Sequence, residues 1–199
     1  MKKPRIFSTL SFALALSSTT VLILLSLGLL VRAAFSKTEE QPVALDMAAP
    51  ELVGGTWLNT PGGVPIPLSS RLGKVTVIEF WTFACINCRH NLPAYDRLYK
   101  KFAPKEVTVI GIHTPETEIE RNPNNVARRV KELGIEYPIL LDPQAANWTR
   151  WQQQFWPTIH LIDKRGRIRF RWEGELNYRN AAGEEKLARK IEELLQDSN

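Results

Sequence analysis

The sequence has 199 residues, 44% of them hydrophobic and 24% charged, values typical of one globular domain plus an additional segment and not of a disordered or fibrous chain. The net charge of +5 would suit nucleic-acid binding only if the basic residues lay on the domain. Four of them precede Lys37, and the rest of the chain has 22 basic against 21 acidic side chains, which argues against nucleic acid as a partner.

Residues 1–35 form the first predicted segment. Between Arg5 and Arg32 lie 26 residues without a charge, and about 20 apolar residues are enough to cross the hydrocarbon of a bilayer. The basic start favours a cytoplasmic N-terminus, so we expect a single membrane anchor with the rest of the chain outside the cytoplasm. The alternative is a signal peptide cleaved near residues 31–33, which gives a secreted protein.

Residues 36–50 mix charge, proline and small side chains without periodicity, which predicts a spacer. The domain is then expected to occupy residues 51–199. Its first part, residues 51–59, is interpreted as a short N-terminal hairpin.

Residues 75–81 and 107–113 are nearly continuous apolar runs rich in β-branched side chains, typical of central strands covered on both faces. Between them, Leu92, Tyr95 and Phe102 recur at helical spacing. A helix between two such strands predicts a βαβ unit with parallel strands.

The second half of the domain continues the alternation of helices and strands. A helix is predicted to start at Asn122 and stop at Gly134, because an N-cap asparagine is followed by proline. The remaining predicted elements are a strand at 138–141, a helix at 145–154, a hairpin of strands 158–162 and 168–172, and an amphipathic helix at 182–195. The sequence thus predicts an α/β fold with a mixed central sheet flanked by helices.

The two cysteines, Cys85 and Cys88, follow the first central strand and open the next helix. Unsatisfied backbone N–H groups at a helix N-terminus favour thiolate over thiol, so Cys85 is the expected nucleophile. With two residues between them, Cys88 can attack a mixed disulfide formed at Cys85 and release the partner. This pattern indicates a redox-active pair.

Two other roles for the pair stay open. A structural disulfide is possible in an exported chain, although a bridge closing four residues constrains the unfolded state little. A zinc half-site would need two more ligands, and only His90, His113 and His160 remain, without a second close pair. We therefore expect no metal and no bound cofactor.

The stretch FWTFACINC at 80–88, together with FWPT at 155–158, resembles the thioredoxin superfamily, specifically its exported TlpA-like and DipZ-type thioredoxin-like domains. The resemblance implies a thioredoxin-like fold and disulfide exchange with protein thiols or disulfides, with a membrane electron donor as a further partner. Ile86 and Asn87 stand where Gly-Pro is common, so the direction of electron flow stays open.

The resemblance also implies roles for individual residues. Glu79 corresponds to a buried acid that exchanges protons with Cys88; the alternative is a surface glutamate at a sheet edge. Pro157 corresponds to a cis proline that leaves the backbone of Trp156 free for an extended substrate, with Thr158 completing the motif. Trp81 and Trp156 are predicted to line a substrate-binding rim. Pro93 corresponds to a structural kink in the helix.

Four further side chains have weaker signals. Arg89 and His90 could add positive potential at the thiols, but a solvated helix face is the preferred explanation. His113 ends a central strand, where it is either a site residue or a polar cap. His160 is expected to be a core histidine.

Two other functions remain as alternatives. Thr82 and Cys85 match the Thr-x-x-Cys part of a peroxiredoxin site, but Ile78 stands where that family has proline. A copper chaperone would hold Cu(I) between the two thiolates.

Overall fold

The computed structural model describes residues 45–197. The strands are β1 (Met47–Ala48), β2 (Trp57–Leu58), β3 (Thr76–Trp81), β4 (Thr108–His113), β5 (Ile139–Leu141), β6 (Thr158–Ile162) and β7 (Arg167–Glu173). The helices are α1 (Ile86–Phe102), α2 (Pro123–Glu132), α3 (Ala146–Arg150) and α4 (Gly183–Gln196). The predicted anchor and most of the predicted spacer lie outside the described residues; within 45–197, no helix has the length and hydrophobicity to cross a bilayer.

The strands of this part of the chain form one mixed sheet in the order β1-β7-β6-β3-β4-β5-β2. Strands β3, β4 and β5 are parallel, whereas β6 and β7 form the antiparallel half. Helix α1 joins β3 to β4, and α2 joins β4 to β5, as parallel neighbours require. The predicted βαβ unit, the β6–β7 hairpin and the mixed α/β fold are confirmed.

Strand β3 lies at the centre of the sheet, and all six of its residues are buried. One face is covered by α1 and α4 through Tyr95, Phe102, Leu187 and Ile191. The other face packs Phe80 and Ile78 against Trp57 and Trp151. Because both faces are closed, the end of β3 is a fixed point from which the next loop starts.

The N-terminal hairpin predicted for residues 51–59 is wrong. Strand β1 pairs with β7 and β2 pairs with β5, so the two short strands lie at opposite edges of the sheet. Gly55, with φ +82°, lets the chain approach β5 closely, because a Cβ there would lie 2.3 Å from Leu140 Cδ1. Met47 and Ala48, assigned to the spacer from sequence, are part of the sheet.

The chain enters the sheet at the end where β3 begins. Met47 of β1 pairs with Ile168 at the start of β7. Ile168 lies opposite Ile162 in β6, which in turn lies opposite Thr76, the first residue of β3. The first described strand and the last residue of β3 are therefore at opposite ends of the sheet.

Helix α3 is shorter than predicted. It covers five residues instead of the whole of 145–154. Ala145 and Gln152 have φ values of +56° and +52°, a left-handed conformation that does not continue a right-handed helix. The apolar spacing in this segment comes from Trp148 and Trp151 packing on the sheet.

Candidate active site

The loop Thr82–Ala84 connects the end of β3 to helix α1, and Cys85 is the N-cap of that helix. The Cys85 Sγ accepts a hydrogen bond from the Cys88 backbone N–H at 3.4 Å. Both cysteines are free thiols, with Cys85 partly exposed and Cys88 buried. A sulfur at this position lies near the unpaired backbone N–H groups of the first helical turn, and these groups favour negative charge on the sulfur.

Cys88 differs from Cys85 in its surroundings. Its side chain is fully buried in the core beneath α1. Burial raises the pKa of the Cys88 thiol well above its ordinary value, and the neighbouring Cys85 and Glu79 raise it further. Cys88 therefore needs a base before it can act as a nucleophile.

This difference predicts the order of alkylation. In the reduced, folded protein, iodoacetamide at neutral pH should label Cys85 at least about tenfold faster than Cys88. In guanidinium chloride, where burial is lost, the two rates should converge. Mass spectrometry of tryptic peptides measures both rates, and equal labelling in the folded state would contradict the assignment.

Glu79 lies in β3 with no exposed surface, which excludes the alternative of a surface glutamate. The Tyr137 hydroxyl donates to Glu79 Oε1 at 2.6 Å, while Oε2 has no hydrogen-bond partner among the described residues. Burial raises the Glu79 pKa to about 8, although the hydrogen bond from Tyr137 and the nearby Tyr95 hydroxyl oppose the shift. At neutral pH this carboxyl is mostly protonated, with a minor ionised fraction that grows as the pH approaches 8, so it can give or take a proton there.

Gly111 of β4 is the register partner of Glu79. A Cβ at Gly111 would lie 3.0 Å from Glu79 Oε1, 3.1 Å from Trp81 Nε1 and 2.6 Å from Ile139 Cδ1. Because glycine has no side chain, the space beside Gly111 stays open for the buried carboxyl of Glu79. The sequence alone does not indicate this role, because a glycine inside a strand carries no signal of which side chain approaches it.

Asn91 holds the active-site helix to the loop after β7. Its Nδ2 donates to the Tyr95 hydroxyl at 2.9 Å and to the Gly174 carbonyl at 3.2 Å. Its Oδ1 accepts from the Leu176 N–H at 2.8 Å. Pro93 lies inside α1, as the resemblance implied.

The Trp156–Pro157 peptide bond is cis, as the resemblance implied. Thr158, which follows, pairs with Phe80 near the end of β3, so the cis proline lies beside the active-site loop. Trp156 is partly exposed and stacks on Trp148, with ring centroids 4.0 Å apart. Within residues 45–197 its backbone N–H and C=O make no hydrogen bond.

Two of the predicted substrate-binding side chains are in the core. Trp81 has no exposed surface and packs edge-on against His113, with centroids 5.1 Å apart. Thr158 is also fully buried, and its hydroxyl donates to the Phe155 carbonyl at 2.8 Å. The prediction that Trp81 lines an exposed rim is wrong. Instead, Phe155 and Ile86 are exposed, by 53% and 52%.

The histidines have three different environments. His160 is buried beside Gln153, with 3.0 Å between their Nε2 atoms, and burial lowers its pKa to about 3, so it is the expected core histidine. His90 is exposed, with its Nδ1 3.1 Å from Glu175 Oε2. His113 is buried between Trp81 and Phe83. Within residues 45–197, no three His, Cys, Asp or Glu side chains are grouped to hold a metal ion.

A helix-capping CxxC pair, a buried carboxyl and a cis proline on this sheet define a thioredoxin-like protein. Residues 46–171 match the AhpC/TSA family, and the chain belongs to that family.

Individual relatives agree with this class. Protein DipZ of Mycobacterium tuberculosis is 46% identical over 131 residues, which are 65% of this chain and 19% of DipZ, so the chain matches about a fifth of that relative. Thiol-disulfide oxidoreductase YkuV of Bacillus subtilis is 27% identical over 122 residues, 60% of this chain and 79% of YkuV.

Solved structures show the same fold. A thioredoxin-like superfamily protein is 28% identical with a TM-score of 0.64, covering 76% of this chain and 98% of its own. A thiol-disulfide isomerase of Corynebacterium glutamicum has a TM-score of 0.63 at 23% identity, and the match covers 75% of this chain and 98% of the isomerase chain. At this identity the likeness concerns the fold alone.

Proposed function

We propose that this protein is a thiol–disulfide oxidoreductase that exchanges disulfides with protein substrates through Cys85 and Cys88. The observation that carries the proposal is the asymmetry of the pair. One thiol is partly exposed at a helix N-cap, and the other is buried next to a carboxyl whose pKa is about 8. A structural bridge would need neither the exposure nor the buried acid.

In the reducing direction, the Cys85 thiolate attacks one sulfur of a substrate disulfide and the other substrate sulfur leaves as a thiolate. Ionised Glu79 then takes the proton from Cys88, whose sulfur attacks Cys85 Sγ. The second substrate thiolate leaves, and the Cys85–Cys88 disulfide forms. Two electrons pass to the substrate, and the reverse sequence oxidises it.

The substrate is proposed to dock as an extended segment along Trp156. The free N–H and C=O of this residue can pair with a peptide backbone, as a strand added to a sheet edge. The Trp148–Trp156 stack and the exposed Phe155 and Ile86 supply apolar contact beside the peptide. A separate electron donor must reduce the pair again after each turnover.

The test is turnover of a model protein disulfide such as insulin with dithiothreitol as reductant. The wild type should exceed a Cys85→Ser/Cys88→Ser double variant, which should match dithiothreitol alone. Equilibration with glutathione buffers should show reversible formation of the Cys85–Cys88 disulfide, and its potential marks a reductant or an oxidant. A pair that never oxidises reversibly, or that retains stoichiometric copper against a thiol competitor, would overturn the proposal.

A peroxidase is the second candidate, because the family that the chain matches is AhpC/TSA. The Thr82 hydroxyl, however, is buried and donates to Glu120. Because this hydroxyl already donates to Glu120, it is not directed at a peroxide bound at Cys85. Stopped-flow oxidation with hydrogen peroxide should be slower than disulfide exchange, and the opposite order would favour the peroxidase.

We also propose that the domain is held outside the cytoplasm by residues 1–35, because of the 26 uncharged residues behind a basic start. Expression of the full chain in a bacterium, followed by fractionation, should place it in the membrane pellet. Protease added to spheroplasts should digest it. Protection from the protease would contradict this orientation.

A further inference from the structure

A second buried carboxylate, Glu120, contacts the loop that carries the nucleophile. Only 1% of this residue is exposed. Its Oε1 accepts the Thr82 hydroxyl and, at 3.0 Å, the Ala84 N–H. Ala84 directly precedes Cys85, so this oxygen holds the backbone next to the nucleophilic sulfur.

The other oxygen of Glu120 holds a different segment. Its Oε2 accepts from the Glu116 N–H at 3.1 Å, the Thr117 N–H at 2.9 Å and the Thr117 hydroxyl at 2.8 Å. Thr117 and Glu120 form a capping box at the start of the short helical turn Glu118–Arg121. The capping box explains the bonds at Oε2 and leaves those at Oε1 unexplained.

The donors fix the charge of Glu120. Backbone N–H groups can only donate, and they approach both oxygens, so both oxygens must accept. An amide cannot do this, because its nitrogen only donates, and a protonated carboxyl is a weaker acceptor at its hydroxyl oxygen. Burial alone would raise the Glu120 pKa, but the nearby His113 and the hydrogen bonds from Thr82, Ala84 and Thr117 hold it well below its usual range.

The loop is also supported at Phe83, between the two contacts with Glu120. The Phe83 ring stacks on His113, with centroids 5.5 Å apart and 28° between the planes. His113 Nε2 in turn lies 3.6 Å from Glu120 Oε1. Glu120 and its neighbour His113 thus contact all three residues between β3 and Cys85.

We propose that Glu120 is a positioning residue that fixes the Cys85 sulfur for attack by holding the loop 82–84. The inference rests on the proposed function of Cys85 as the nucleophile. It assigns to Glu120 a role beyond capping the turn at 118–121. Small displacements of a reacting group cost large factors in rate, so loss of this anchor should appear in the reactivity of Cys85.

The test uses Glu120→Gln, with Glu118→Gln as the matched control. Glu118 lies on the same turn, is exposed and, within residues 45–197, pairs with Arg121 alone. Two rates of the reduced full-length protein are measured: reaction with a small aromatic disulfide, and alkylation of Cys85 by iodoacetamide. Amide hydrogen exchange at Ala84 reports the loop itself.

Glu120→Gln should lower both Cys85 rates by about 10- to 100-fold and accelerate exchange at Ala84. Glu118→Gln should leave all three measurements within about twofold of the wild type. A folded Glu120→Gln protein with wild-type rates or unchanged Ala84 exchange would overturn the proposal. A cap alone would alter exchange at Thr117 and thermal stability without changing Cys85.

A second variant covers the case in which Glu120→Gln does not fold. Thr82→Val removes one hydroxyl donor on the loop side and keeps the ionised carboxylate with its backbone contacts. It should fold and react at a rate between those of the wild type and the Gln variant, and wild-type rates would overturn the proposal. If the wild type alkylates readily at Cys85 but exchanges no disulfides, the proposed function fails while the positioning role is still decided by alkylation.

Discussion

Replacing Cys85 with serine should reduce disulfide exchange by about three orders of magnitude or more. A serine hydroxyl does not ionise near neutral pH, whereas the thiolate is the attacking species. Cys88 cannot substitute for it, because it is fully buried and its pKa is raised. Insulin reduction, followed by turbidity, measures the loss.

Cys88→Ser is the matched control for this prediction. The first attack depends on Cys85 and on the backbone N–H of residue 88, and serine keeps that N–H. The variant should therefore attack a substrate disulfide about as fast as the wild type but accumulate a mixed disulfide, because the resolving thiol is missing. Equal trapping by the two single variants would show that the roles of the cysteines are wrongly assigned.

Replacing Glu79 with glutamine should slow the resolution step by about 100-fold, since this carboxyl is the proposed base for Cys88. In the wild type, the rate of that step should rise with pH around a midpoint near 8, the pKa of Glu79. The Gln variant should lack that rise. Rapid mixing of a preformed mixed disulfide, sampled by acid quench from pH 6 to 9, measures the profile.

The same substitution should stabilise the protein at alkaline pH. The folded-state pKa of Glu79, about 8, lies above the ordinary value of 4.5. Between these pH values the native state keeps a proton that the unfolded chain releases, so stability falls as pH rises. Above pH 8 the loss reaches the order of 5 kcal/mol. Glu79→Gln should be free of this loss, which urea unfolding at pH 5 and 8.5 tests against the wild type.

Tyr137→Phe keeps the Glu79 carboxyl and changes only the pKa at which it ionises. The Tyr137 hydroxyl stabilises the ionised carboxylate, so its removal should move the midpoint of the rate profile above 8. A midpoint that stays in place would show that Tyr137 does not control the carboxyl. A midpoint that moves down would contradict the assigned hydrogen bond.

The sequence predicted the elements that local pattern determines. Strands β3 and β4 follow from continuous β-branched runs, and the position of Cys85 follows from the junction between such a run and a helical pattern. The pairing of β2 with β5 could not be predicted, because Trp57 pairs with Leu140, which lies 83 positions later in the sequence. A strand of two residues has no pattern of its own that could select its partner.

Depth within the fold was harder to predict than position along the chain. Trp81 was expected at the surface, but it is fully buried and packs edge-on against His113, 32 positions later. Glu120 had a visible signal, since Thr117-x-x-Glu120 is a capping-box pattern. That pattern predicts only the contacts of one oxygen, while the contact with Thr82 depends on how the turn at 118–121 packs against the end of β3.

The entry of the chain through β1 determines how the domain can be held. Met47 joins the sheet where β3 begins, and Cys85 follows the other end of β3, about 20 Å away for a strand of six residues. A surface linked to the domain at Leu45 would lie near the start of β3 and away from Cys85. The site of attachment and the approaching partner would then not compete for the same surface.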